Sequence, residues 1–229
     1  LPRSLISSPD PAKLARAMAT RVVFLDALDT LVELEPPWVH LAAALGTEVD
    51  ERLVAAVRTE MTYYKEHAHE GSDETSLAEL RSYCAELISR ELGQEVSVET
   101  MMETIRFAPF EDSAPALREL REMGLTTICV SNWDVSLGEV LGHCGLDGLL
   151  DGVVTSASIG RRKPDPAVFQ AALAIAGCES DEAIHVGDSP EEDIAGARSA
   201  GIRALLIDRA GEGDIASLLE LPALIGTPA

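Results

Sequence analysis

The side chains of Asp26, Ser131, Asn132, Lys163 and Asp188, with Asp29 and Asp193 one step away, are of the types that could build one anion-handling site. Carboxylates held close together repel unless a cation sits between them, and carboxylate oxygens suit a hard ion such as Mg²⁺. A hydroxyl, an amide and an ammonium beside them would bind an oxyanion. Carboxylates with a divalent ion, plus donors for an oxyanion, make a site for phosphoryl transfer. Each residue alone has a plainer reading. Asp26 could close a turn, and Ser131 and Asn132 could open one, with Asp134 capping the helix beyond. Lys163 could be a solvated loop residue. Asp188 and Asp193 could be acids at a helix start, as Glu191 and Glu192 are read to be. Only joint placement lifts Asp26, Ser131, Lys163 and Asp188 above these alternatives.

The elements around them supply that placement. Residues 22–25 form a continuous apolar run that ends in Asp26, the pattern of a strand buried on both faces. Further strands are expected at 125–130, 152–155, 183–186 and 202–207, with helices at 114–123, 135–144, 167–176 and 190–200 between and after them. Strands alternating with helices predict an α/β fold with a doubly wound parallel sheet. Parallel strands carry their C-terminal ends on one edge, so Asp26, Ser131, Asn132 and Asp188 should converge there, within reach of Lys163 on the loop after the third strand. From residue 38 to 107 the chain reads as helix throughout, at 38–45, 50–69, 76–92 and 97–107. Asp50 and Ser97 are suited as N-caps, and Gly46, Gly71 and Gly93 as stops. The expected organisation is an N-terminal extension (1–17), an α/β core (18–34 and 109–229) and an inserted all-helical cap (35–108).

Composition narrows the function classes. Eighteen basic against 39 acidic residues give a net charge of −21, which opposes phosphate backbones and anionic lipid, so nucleic-acid and membrane partners are not expected. No apolar run is long enough to span a bilayer. Cys84, Cys129, Cys144 and Cys178 lack metal-ligand spacing and read as reduced thiols, and with no secretory leader visible the expected compartment is cytoplasmic. Residues 1–17 are set aside from the fold argument. Only three lysines occur, at 13, 65 and 163.

Asp26-Ala27-Leu28-Asp29-Thr30-Leu31, Ser131-Asn132, Lys163-Pro164 and Gly187-Asp188 with Asp193 resemble, in order and spacing, the four motifs of the haloacid dehalogenase-like hydrolase superfamily. The resemblance spans residues 20–208, including a helical cap inserted after the first motif. It implies that Asp26 is a nucleophile forming an aspartyl-phosphate, and that Asp26, the Leu28 carbonyl and Asp188 hold Mg²⁺. It also implies that Ser131, with Asn132 nearby, binds a phosphoryl oxygen, that Lys163 neutralises charge and that Asp193 supports Lys163 or a metal-bound water. The implied activity is hydrolysis of a small phosphorylated metabolite by a monomer or homodimer.

The pattern also breaks. Phosphatases of this superfamily usually carry an acid two residues after the nucleophile, and here that position is Leu28, followed by Asp29 in place of a glycine. General acid–base help is worth about 10²–10⁴-fold, so esters with poor leaving groups should suffer most. Asp29 points differently and is a weak substitute. Lys65, among Tyr63, Tyr64, His67 and His69 in the cap, is a possible contributor, since superfamily phosphonate hydrolases lack the same acid and use a cap lysine. That cluster also reads as an ordinary polar helix end. A 2-haloacid dehalogenase is the alternative, opposed by the metal-binding form of the last motif and by the lack of an Arg between Asp26 and Arg52. A catalytically weak binding module is the third reading.

Overall fold

The computed structural model describes residues 20–225; the expected extension at 1–17 lies outside them. β1 (Val22–Leu25) is buried at every position. It lies at the centre of a five-stranded parallel sheet ordered β5-β4-β1-β6-β7, whose other strands are β4 (Thr126–Ser131), β5 (Gly152–Thr155), β6 (Ala183–Gly187) and β7 (Arg203–Leu206). Alternation along β1 feeds two cores. Val23 and Leu25 pack with Leu117, Trp133 and Leu141 on one face, while Val22 and Phe24 pack with Val168, Phe169 and Ile202 on the other. Both faces are therefore covered, which is why β1 carries no polar residue.

Register fixes where the site must form. Leu25 pairs with Cys129 of β4 and Val186 of β6. Asp26 is thus one residue short of the level of Ser131 on one side and of Asp188 on the other. Its amide continues the ladder by donating to the Val186 carbonyl at 2.9 Å. Strand order reverses across β1, and such a switch point is where open α/β sheets bind ligands.

Two details depart from the sequence expectations. The chain leaves and re-enters the core through a short antiparallel ribbon, β2 (Val32–Leu34) with β3 (Phe107–Pro109), in register Val32↔Pro109 and Leu34↔Phe107. The helix expected to reach Phe107 stops at Thr104, because Ile105 turns extended and Phe107 pairs across the ribbon. The helix expected over 190–200 opens with a wide turn, Pro190–Ala195, in which the Ile194 amide reaches back five residues to the Ser189 carbonyl. That widening presses Asp193 onto Gly187, where an added Cβ would sit 2.2 Å from the Asp193 carboxyl carbon. Glycine is required at 187 by that approach.

Between β2 and β3 run four helices, Pro37–Leu45, Glu51–His67, Glu74–Leu92 and Val98–Thr104. Asp50, Asp73 and Ser97 cap the last three through their side chains. This insertion has its own apolar cluster, including Leu41, Leu53, Val57, Leu80, Ile88 and Met101. No helix among the described residues is long and apolar enough to cross a membrane.

Candidate active site

Lys163 is the pivot of the strand edge. It is 1% exposed, and its Nζ donates to Asp26 Oδ1 and Asp193 Oδ1, both at 2.5 Å. Burial alone would lower the lysine pKa; Asp193 and Asp26 outweigh it and hold the ammonium above its ordinary value. Asp193 is the better-anchored carboxylate. Burial works against its charge, but Lys163 and His185 prevail and keep it well below the usual carboxylate range. His185 Nε2 lies 2.8 Å from Asp193 Oδ1, and the Ser189 amide donates to Oδ2 at 3.1 Å. Asp26 goes the other way: burial raises its pKa more than Lys163 lowers it.

Asn132 clamps the lysine from behind. The Lys163 amide donates to Asn132 Oδ1 at 2.7 Å, and Asn132 Nδ2 donates to the Lys163 carbonyl at 3.0 Å and to Glu192 Oε2 at 3.2 Å. The amide side chain thus fixes a loop rather than pointing freely at a ligand. Ser131, the last residue of β4, is 3% exposed and lines the same cavity as Asp26.

Carboxylate oxygens of Asp26, Asp188 and Asp193 lie within 4.8 Å of one another. Those of Asp193 are occupied by Lys163, His185 and Ser189. Asp26 Oδ2 has no hydrogen-bond partner, and Asp188 no ion pair, among the described residues. Burial first, and then Asp26, Asp193 and Asp29, push the Asp188 pKa up to about 7. One ammonium therefore faces an excess of acid. An all-oxygen donor set with surplus negative charge fits a hard divalent cation such as Mg²⁺. Leu28 borders this space with an apolar side chain. Asp29 follows it at φ 59°, the one non-glycine residue in the left-handed region among those described, so this is a position that glycine would fill with less strain.

A cavity of about 610 Å³ runs from this edge into the helical insertion. Two polar side-chain contacts join its walls, and beside them the Val135 amide donates to the Gly71 carbonyl at 3.1 Å. Tyr64 donates its hydroxyl to Asp134 Oδ2 at 2.7 Å, and Lys65 Nζ lies 3.6 Å from Glu192 Oε1. Glu192 also pairs with Arg162 at 2.9 Å. Lys65 stands at the rim with a side chain 63% exposed, paired to Glu192 rather than to Asp26. Tyr63 and His67 stack on each other, ring centres 3.9 Å apart, and neither they nor His69 line the cavity. Glu192 is therefore more than the helix-start acid the sequence suggested, since it ties Asn132, Arg162 and Lys65 together. Asp134 does cap locally, accepting from the Ser136 amide at 2.7 Å, but it also receives Tyr64. The Glu192 links and the Tyr64–Asp134 bond have no sequence signal, because their partners lie 30 or more residues away, and the pairing of His185 with Asp193, eight residues on, follows no recognised spacing.

A family model described as a haloacid dehalogenase-like hydrolase matches residues 20–201. Human haloacid dehalogenase-like hydrolase domain-containing protein 3 is 43% identical over 91 residues, covering 40% of this chain and 36% of the relative. Phosphoserine phosphatase from Thermus thermophilus is 35% identical over 120 residues, 52% of this chain and 48% of the relative. The match thus spans less than half the length of either relative. An L-2-haloacid dehalogenase structure from Xanthobacter autotrophicus superposes with a TM-score of 0.68 at 20% identity, covering 90% of this chain and 98% of that one, a likeness of fold alone. Because the family match takes in β1, β4, β5 and β6 and the strand-end residues each of them presents, the chain belongs to the haloacid dehalogenase-like hydrolases.

Proposed function

We propose that this hydrolase is a Mg²⁺-dependent phosphohydrolase, releasing phosphate from a small phosphorylated metabolite through an aspartyl-phosphate on Asp26. The observation that carries the reading is the charge balance at the sheet edge: Asp26 and Asp188, with Asp29 nearby, share one ammonium, already committed to Asp193. The carboxylate of a 2-haloacid would meet that excess unscreened. A divalent ion together with a phosphoryl group relieves it. The phosphatase name of the Thermus relative supports the same direction.

In this reading Asp26, Asp188 and the Leu28 carbonyl would hold Mg²⁺, which when bound supplies positive charge to the phosphoryl oxygens. Lys163 holds Asp26 Oδ1 and so orients the carboxylate, leaving Oδ2 to attack phosphorus. The Asp26 oxygen–phosphorus bond forms as the bond to the leaving oxygen breaks; water then cleaves the acyl phosphate and restores the carboxylate. Ser131 donates to a phosphoryl oxygen, Asn132 positions Lys163, and Asp193 anchors the ammonium. Residues 35–108 act as a cap that excludes water, latched by Tyr64 on Asp134 and Lys65 on Glu192. Leu28 has no proton to give, so leaving groups depart unaided or take a proton from Lys65 at the rim.

The test is phosphate release across a panel of metabolite esters, with and without Mg²⁺, beside Asp26→Asn. Turnover should require the metal and vanish in the variant; turnover surviving in Asp26→Asn overturns the nucleophile assignment. Leu28 is the one feature favouring a dehalogenase, so chloroacetate and 2-chloropropionate belong in the same panel. Neither should release halide.

A further inference from the structure

Glu60 lines the cavity that holds Asp26, but at its other end, inside the helical insertion. It stands one helical turn before Tyr64 on the Glu51–His67 helix, about 6 Å along the axis. Tyr64 is pinned to Asp134 at the strand edge. The helix face therefore starts at the chemistry and recedes from it toward Glu60.

The carboxyl is oddly placed for a structural residue. It is 6% exposed and has no basic group within ion-pair distance among the described residues; its partner is the Cys84 thiol, a weak donor. Burial pushes its pKa up. The wall contributed by the insertion is mostly apolar, with Leu41, Val57, Met61, Ile88 and Met101 facing the cavity and Tyr64, Arg81, Thr104 and Arg106 among its polar members. A buried polar group with so weak a partner disfavours folding, and an aliphatic side chain would serve the packing better. What the carboxyl adds is an acceptor among the apolar side chains of the cavity's insertion wall.

We propose that Glu60 determines specificity: the cavity takes a phosphate monoester whose leaving group is an apolar body tipped by a hydrogen-bond donor, a hydroxyl or amino group, received by Glu60. This rests on the phosphohydrolase reading and adds to it the class of leaving group.

The experiment compares n-butyl, n-hexyl and n-octyl phosphates with their ω-hydroxy and ω-amino counterparts, alongside acetyl phosphate, which has no such tail, in wild type, Glu60→Gln and Glu60→Leu. In wild type, kcat/KM for the tipped esters of the best-fitting length should exceed that of the plain ester about tenfold or more. Glu60→Leu should reverse this preference, keep acetyl phosphate turnover within about twofold and melt no lower than wild type. Glu60→Gln should keep the hydroxyl preference and lose the amino one. Equal treatment of tipped and plain esters by wild type, with acetyl phosphate still consumed, overturns the subsite and leaves the phosphohydrolase standing. A Glu60→Leu protein that keeps the wild-type preference also overturns it, as does a lowered melting temperature in both variants, which would make Glu60 structural. Failure to consume any ester or acetyl phosphate overturns both readings together.

Discussion

Lys163→Met keeps most of the buried stem and deletes the ammonium. Asp193 would still have His185 at 2.8 Å and the Ser189 amide, whereas Asp26 would lose its side-chain partner. Breaking one side of a buried ion pair costs about 3–5 kcal/mol. Its pH dependence follows from the directions of the shifts. In the native protein Lys163 lowers the pKa of both Asp26 and Asp193, so without it both rise. A carboxyl whose folded pKa is raised binds its proton more tightly in the folded chain, so stability falls as pH climbs from the unfolded value, about 4, to the raised one. The wild-type Asp193, held low, contributes in the opposite sense: its stabilisation is present above the unfolded pKa and lost as pH falls through the folded one. The gap between variant and wild type must therefore widen with pH. At about 2–3 kcal/mol per molar urea for a chain of this size, the midpoint should drop by about 1–2 M at pH 8 and by less than half as much at pH 5. Phosphate turnover should fall by about 10²-fold or more. An equal loss of midpoint at both pH values would refute the pairing as the source of the effect.

Further outcomes are expected elsewhere in the site. Leu28→Asp should raise turnover of alkyl phosphates by about 10²-fold and leave acetyl phosphate nearly unchanged, because only the former needs a proton on its leaving oxygen; no gain on alkyl esters places the proton source in another group. Asp29→Gly should stabilise the fold by about 0.5 kcal/mol, the relief of a φ of 59° less the added freedom of glycine when unfolded, and a drop in urea midpoint would show that the carboxylate itself supports the loop. With Asp188 at about 7, the metal-free protein should lose stability as pH rises from about 4 to 7, and Mg²⁺ should raise the melting temperature more at pH 8 than at pH 6. A shift independent of pH counts against Asp188 as a ligand.

The core was legible because β1 is short, wholly apolar and cut off by an acid, a pattern that a parallel sheet enforces. A parallel sheet puts its strand ends on one edge, and with that comes the meeting of Asp26, Lys163 and Asp188 across long stretches of sequence; the strand order itself was not read. The ribbon of β2 and β3 was not legible: three residues a side, one a proline, carry no alternation to read. The widened turn at Pro190–Ala195 escaped for a different reason, since its five-residue reach answers to the packing of Asp193 on Gly187. Asn132 was placed correctly along the chain yet spends its amide on the Lys163 backbone. Glu192 and His185 take their meaning from Asn132, Arg162, Lys65 and Asp193, which no local pattern announces.

The ribbon also governs how the two halves of the molecule can part. Both covalent crossings are hydrogen-bonded to each other, so neither can slide or lengthen without its mate. Relative motion of the two would reduce to a swing about one line, like a door on adjacent pins. At the opposite jamb Tyr64 and Lys65, neighbours on one helix, reach the sheet edge through their side chains, and the Gly71 carbonyl accepts from the Val135 amide at 3.1 Å. Entry of ligand and departure of product would then be set by these polar contacts on the free side, and weakening either of the two side-chain ones should speed passage without touching the reacting atoms.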